Sequence, residues 1–261
     1  MKHLFFILFL LFISWESYSQ DSLIIHEYQI AETRIVIEDR CFSPCKSNII
    51  FVHLHDNEYT SLEVANEYLS ANGGRLVRLK NANERIVETV LGTNSYCFDP
   101  NRIYSKEGIS ASVLNWTDIT HPVITSSIVD FSSQFLQNFI DSKKLIVSLH
   151  NNTDTNYSII QVQKALWANQ YSGKIYINQE MDEDDFILTT DSTIFNRIAA
   201  KNINVIYEFA QNISDDGSLS VYAGKRKIPY INIEAQHDHK LEQMALLSAL
   251  DEIIKEYTKL P

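Results

Sequence analysis

Four short apolar runs that end abruptly in polar residues constrain this chain most. They are Asn48-Ile49-Ile50-Phe51-Val52-His53-Leu54-His55, Leu145-Ile146-Val147-Ser148-Leu149-His150, Ile203 to Phe209, and Pro229 to Glu234. Apolar runs of this length, bounded by polar residues, read as buried strands. Helical spacing appears between them. Ser61 to Ala71 stops at Asn72-Gly73-Gly74, and Val123 to Ile140 gathers Ile128, Phe131, Phe135, Leu136 and Phe139 on one face. Lys240 to Tyr257 closes the chain as a helix. Leu23 to Tyr28 and Thr33 to Glu38 alternate like an opening strand pair, and Leu76 to Leu79 and Ile86 to Leu91 are also strand-like. No repeat and no Gly/Pro-rich linker interrupts this order. The expectation is one α/β domain over 21–261, a central mostly parallel or mixed β-sheet flanked by helices.

The first 20 residues read differently. Lys2 and His3 precede an uninterrupted apolar run, Leu4 to Ile13, and a polar segment rich in small residues follows, Ser14 to Gln20. A basic start, a short apolar centre and a small-residue exit describe a secretory signal peptide, cleaved near Ser19 or Gln20. A spanning helix needs about 20 apolar residues, which this run lacks. The expected mature protein is exported, periplasmic or secreted, with no membrane attachment. Export permits disulfides, and Cys41 and Cys45 flank a Phe-Ser-Pro turn that a bridge can close, leaving Cys97 over.

Lys and Arg total 22 against 33 Asp and Glu, a net charge of −11. That balance speaks against nucleic-acid binding, which depends on neutralising phosphates. No GxGxxG and no P-loop pattern occurs, so a nucleotide site is not expected. Instead, three apolar strands end in His55, His150 and Glu234. Ligands of open α/β sheets collect at the carboxyl ends of strands.

His55-Asp56-Asn57-Glu58 is a His-x-x-Glu pair where a strand turns into a helix. An imidazole and a carboxylate so spaced can face one ion, and His150 from another strand end completes a His₂Glu set. A catalytic zinc uses three such ligands and keeps a fourth position open. It lowers the pKa of water toward about 7 and polarises a carbonyl, and a further carboxylate must then carry the proton. Glu234 is the candidate, with Glu208 the competing one. Asp99-Pro100-Asn101-Arg102 sets a guanidinium beside an amide, a pair suited to a substrate carboxylate. His53, two residues before His55, reads as a buried structural histidine, and His237 and His239 as surface residues.

In this order, the segments His55-Asp56-Asn57-Glu58, Asp99-Pro100-Asn101-Arg102, Leu149-His150-Asn151 and Ile233-Glu234 resemble the zinc carboxypeptidase superfamily. Within it the likeness is to the branch of succinylglutamate desuccinylases and aspartoacylases, over about residues 49 to 236. The resemblance implies one zinc ion on His55, Glu58 and His150. It further implies Glu234 as general base, and Asn101 with Arg102 on the substrate carboxylate. The chain departs from the family in three places. Phe51-Val52-His53-Leu54 replaces the glycines before the first His, Pro100 replaces a Leu, and Gly92 to Phe98 contains no carbonyl-polarising Arg. Another cation must then serve a developing oxyanion, and Lys225-Arg226-Lys227 is one source.

The expected activity is an exported zinc-dependent hydrolase cleaving an amide next to a free carboxylate. A carboxypeptidase acting on peptides, those of the cell wall among them, comes first. An N-acyl amino acid deacylase is the alternative, and a non-catalytic binding module on the same fold is the third reading.

Overall fold

A computed structural model describes residues 21–46, 48–153 and 157–260. The apolar leader expected over residues 1–20 lies outside them. Nine strands form one mixed sheet: β1 (Ser22–Ile30), β2 (Thr33–Phe42), β3 (Ile49–His53), β4 (Gly74–Lys80), β7 (Leu145–Asn152), β8 (Gly173–Tyr176), β9 (Phe186–Thr189), β10 (Val205–Glu208) and β11 (Tyr230–Gln236). Their order across the sheet is β1-β2-β4-β3-β7-β11-β9-β10-β8, and β5 (Val87–Leu91) and β6 (Asn94–Phe98) form a separate hairpin. The central strands β4, β3, β7 and β11 run parallel, and antiparallel pairs finish both sides. This is the mixed α/β sheet that the apolar runs predict.

The runs are continuous because both faces of the central sheet are covered. Ile50, Val52 and Ile146 point to one side, where they meet Ile109 and Val113 of α2 (Lys106–Thr117). On that side they also meet Ile128, Phe131 and Phe135 of α3 (Pro122–Phe135). Ile49, Phe51, Leu145, Val147 and Leu149 point to the other. There they pack with Val64 and Leu69 of α1 (Tyr59–Asn72) and with Leu246 and Leu247 of α7 (Lys240–Ala249). Helices α4 (Ile159–Trp167), α5 (Ser192–Ala199), α6 (Leu219–Lys225) and α8 (Asp251–Thr258) complete the layers. Among the described residues, no helix is long and apolar enough to cross a membrane.

Local chemistry sets the element ends. Gly73 has φ +70°, which ends α1 and turns the chain into β4. The helix expected over Val123 to Ile140 is regular to Phe135 and then widens into a π turn, Leu136–Ile140. His121 caps its start, with Nδ1 accepting from the Val123 N–H at 3.2 Å. The closing helix is two helices, interrupted at Leu250. Cys41 and Cys45 are bridged, and Cys97 is a free thiol.

This topology fixes where a site can lie. The chain leaves β3 toward β4 on one side, whereas the strand on its other side is β7, reached much later. Neighbouring strands whose connections part in this way open a crevice beyond their carboxyl ends. His55 and His150 stand at that crevice.

Candidate metal centre

His55 lies just past β3, and Glu58 is the residue before α1. His150 is in β7, on the same face as Ser148 two residues earlier. The sheet and the turn bring these three side chains together, all of them buried. His55 Nδ1 is 2.8 Å from Glu58 Oε1, His150 Nδ1 is 2.9 Å from Glu58 Oε2, and the two Nδ1 atoms are 3.1 Å apart. The remaining ring nitrogens are held from behind. His55 Nε2 is 2.9 Å from Asp99 Oδ1, and His150 Nε2 is 3.0 Å from the Ser148 hydroxyl.

Two imidazole nitrogens and a carboxylate turned toward one point, each ring anchored on its far side, make a cation-binding set. Hydrogen bonding from the outer nitrogen to a carboxylate is how metal-binding histidines are oriented. Bonds of about 2.0–2.1 Å to a tetrahedral zinc place neighbouring ligand atoms about 3.3 Å apart. The contacts of 2.8–3.1 Å lie close to that spacing. The set fits one zinc ion. Its electrostatics agree. Burial opposes ionisation of Glu58, yet His55 and His150 hold its carboxyl well below the usual range. Burial likewise opposes a charged His55, but Glu58 and Asp99 outweigh it and hold the ring up at about 9.

The residues between and beside the ligands build the wall. Asp56 is not a ligand. Its Oδ1 accepts from Arg78 Nε and Nη2 at 2.9 and 2.6 Å, and its Oδ2 accepts from the Asn81 and Asn83 N–H groups at 2.8 and 2.9 Å. It therefore shapes the loop after β4, which carries Arg85. Asn151 is structural too: it accepts from the Ser61 N–H and donates to the Ala235 carbonyl and Gln243 Oε1. Gln243 in turn donates to the His150 carbonyl at 2.9 Å. His53 is fully buried on the α1 side of the sheet, its Nε2 2.9 Å from the Glu58 carbonyl oxygen and 3.1 Å from Ser61 Oγ. Burial pushes its pKa down to about 4, as suits the structural histidine expected.

A cleft of about 510 Å³ opens beside the three ligands. Glu234 lines it from β11, directly opposite His150 in the parallel register. It accepts from Asn232 Nδ2 at 2.8 Å, and burial raises its pKa, a push that His150 opposes and Glu58 reinforces. Asn101 and Arg102 line the cleft from the loop after β6. Asn101 Oδ1 accepts from the Leu219 N–H, so what it offers a ligand is its NH₂ group. Arg102 is held through Nη1 to the Asn101 carbonyl and lies 3.7 Å from Asp216. All six expected site residues thus face one cleft.

The basic cluster at 225–227 does not face the ligand set. Lys225 pairs with Asp215 at 2.7 Å, and the Arg226 guanidinium lies over the Tyr222 ring at 3.8 Å; neither lines the cleft. Arg85 does. Its Nη1 donates to Glu58 Oε1, and its Nη2 lies 3.8 Å from Asp99 Oδ2. His237 also lines the cleft, stacked on Tyr59 with ring centres 5.3 Å apart, whereas His239 lies 3.6 Å from Asp185. Neither belongs to the three-ligand cluster. The acidic run at 182–185 is a turn, with Asp184 and Asp185 buried.

No protein-family model matches the chain, and no curated protein sequence is significantly similar to it. Solved structures do match. The chain is similar to a desuccinylase. That protein, the succinylglutamate desuccinylase from Chromobacterium violaceum, is 11% identical with a TM-score of 0.43, over 88% of this chain and 69% of that one. Bovine thrombin-activatable fibrinolysis inhibitor, solved with a tick carboxypeptidase inhibitor, is 12% identical with a TM-score of 0.47, over 90% of each chain. A candidate metallopeptidase from Shewanella denitrificans is 12% identical with a TM-score of 0.45, over 91% of this chain and 85% of that one. Identities this low leave the chemistry to be read from the residues themselves.

Proposed function

We propose that this protein is an exported zinc-dependent hydrolase that cleaves an amide bond next to a free carboxylate, and that it acts as a carboxypeptidase on peptides. One observation carries the reading: the two Nδ1 atoms and the Glu58 carboxylate converge beside a cleft that also holds Glu234 and Arg102. The leader over residues 1–20 supports export, and an exported enzyme meets peptides, including those of the cell wall, more readily than intracellular acyl amino acids.

His55, Glu58 and His150 would hold the zinc, which would supply the Lewis acidity that activates water and polarises a carbonyl. The protein's own groups do the rest. Glu234, buried and with a raised pKa, takes a proton from the water that adds to the amide carbonyl carbon and hands it to the amine that leaves as the C–N bond breaks. Arg102, with the Asn101 amide, grips the substrate carboxylate and so sets which amide lies over the centre. Arg85 presents a guanidinium where negative charge develops on the carbonyl oxygen. It supplies the cation that residues 92–98 lack.

The test combines metal analysis with hydrolysis of peptides bearing free or amidated C-termini and of N-acyl amino acids. Purified protein should carry zinc and cleave free-carboxylate peptides while sparing amidated ones. Cleavage confined to N-acyl amino acids would replace the carboxypeptidase reading with the deacylase. Glu234→Gln keeps the shape of the side chain but accepts no proton. Zinc should be retained while turnover falls by roughly 10²–10⁴-fold. Undiminished turnover in that variant would overturn the assignment of the base.

A further inference from the structure

A second cavity, of about 480 Å³, lies on the α7 side of the sheet, between that helix and the chain leading into β9. Its walls are of two kinds. Met181, Ile203 and Leu246 give it an apolar floor, Leu246 reaching in from the buried face of α7. Asp185, the last residue before β9, stands beside that floor, and the exposed Asp182 and Glu242 stand at the mouth. The turn from β11 into α7 separates this space from the metal-site cleft. His237 lines the cleft, and His239, two residues on, lines the second cavity.

The side chain of Asp185 is only 5% exposed, yet it accepts a single hydrogen bond, from the Gln236 N–H to Oδ1 at 3.2 Å. Oδ2 accepts none. His239 Nδ1 lies 3.6 Å from it, beyond hydrogen-bond length, and is itself shielded and without a partner. A buried carboxylate oxygen without a donor is costly, and this one borders a cavity. Burial pushes the pKa of Asp185 up; Gln236 and His239 oppose that push, whereas Asp182 and Glu242 add to it. Lys240, at the start of α7, pairs with Glu63 and Glu67 instead. Nor do these acids converge as metal ligands do. Among the described residues, three ligand atoms come within 4.8 Å of one another only at His55, Glu58 and His150. An apolar floor, one buried acceptor and a negative mouth suit an organic cation better than a bare ion.

We propose that this cavity is a binding site for an organic ammonium ion, separate from the metal centre. The apolar part of the ligand lies on Met181, Ile203 and Leu246, and its ammonium group donates to Asp185 Oδ2. Asp182 and Glu242 draw the cation to the mouth. The site needs neither zinc nor Glu234, so it stands independently of the hydrolase reading. It gives the acidic turn at 182–185 a role that the metal-site cleft does not.

The probe is n-hexylamine, with 1-hexanol as the same chain without the charge. Calorimetry on the purified protein should show one hexylamine site. Hexanol should bind roughly 10- to 100-fold more weakly, as a charge-assisted hydrogen bond in a buried place predicts. Asp185→Asn keeps an acceptor for the Gln236 N–H but loses the charge, and hexylamine affinity should fall by a similar factor. Glu242→Gln, on the exposed side of α7, tests the same field without touching the buried pair and should weaken binding roughly 2- to 5-fold. Glu234→Gln, in the other cleft, should leave hexylamine affinity unchanged. In NMR spectra the amide resonances of Gln236 and His239 should shift with occupancy. Absence of hexylamine binding, equal binding of hexanol, or full affinity in Asp185→Asn overturns the proposal. Binding lost in Glu234→Gln also overturns it, because the amine would then sit in the metal-site cleft.

Discussion

With Nη1 on Glu58 and Nη2 3.8 Å from Asp99, Arg85 faces the same carboxylates that hold the two histidines. It therefore has two possible uses, steadying Glu58 or stabilising a developing oxyanion, and substitution separates them. Loss of a single donor to an oxyanion costs about 10²–10³ in kcat. Arg85→Ala should show a fall of that order with zinc content unchanged, and Arg85→Lys, which keeps the charge, should recover part of it. Loss of zinc from Arg85→Ala would instead make Arg85 a positioning residue for Glu58. The convergence of the candidate ligands was legible in the sequence because His55 and Glu58 share a turn and His150 ends an apolar run, features that spacing records. Arg85 was not legible. It sits in a loop without a motif, and it reaches the site because Asp56 gathers the Asn81 and Asn83 amides beneath that loop. The signal lay inside the His-x-x-Glu pair, in Asp56, to which the motif gives no role.

At the scale of elements, the loop bearing Asn101 and Arg102 is fixed by close backbone packing. Gly217 has φ +76°, and a Cβ there would lie 2.5 Å from the Arg102 carbonyl oxygen. Gly108 at the start of α2 meets Gly217 in the same way, its Cβ 2.3 Å from the Gly217 Cα. The Tyr104 N–H donates to the Gly217 carbonyl at 2.9 Å, closing the contact. A side chain at position 217 brings both left-handed strain and a clash with backbone that has nowhere to move. Gly217→Ala should therefore cost about 2–4 kcal/mol in urea unfolding. It should also raise KM for free-carboxylate substrates, because Arg102 shifts with its own carbonyl. A stability change within about 0.5 kcal/mol, the usual range for an uninvolved surface site, would rule this packing out. The same scale shows where sequence reading ran short. The long central strands announce themselves as apolar runs, but β8 and β9 have four residues each and no periodicity to detect. Of the side of the cleft that ends in Glu208, β10 shows as the run Ile203 to Phe209, whereas Leu188 comes from the undetected β9.

The three candidate ligands come from regions that only the whole fold unites. His55 and Glu58 are neighbours in the chain, whereas His150 reaches them through the β3–β7 pairing at the crevice where the chain's connections part. An unfolded chain keeps the first pair close but not the third residue, so a zinc ion held by these three would bind the native state far more tightly and stabilise it. Free zinc at a thousandfold excess over its Kd adds about 4 kcal/mol by this linkage. At roughly 2–4 °C per kcal/mol for a chain of this size, stripping the metal should lower Tm by about 10 °C. The apo protein should still fold, because two apolar cores, one on each face of the sheet, are complete without the site. Its near-ultraviolet circular dichroism should stay native below the new Tm, and zinc should restore the loss. In His150→Ala the long-range ligand is gone, so chelation should change Tm little. A wild-type Tm indifferent to chelation, or a His150→Ala protein that loses as much as the wild type, would show that zinc does not join these strands.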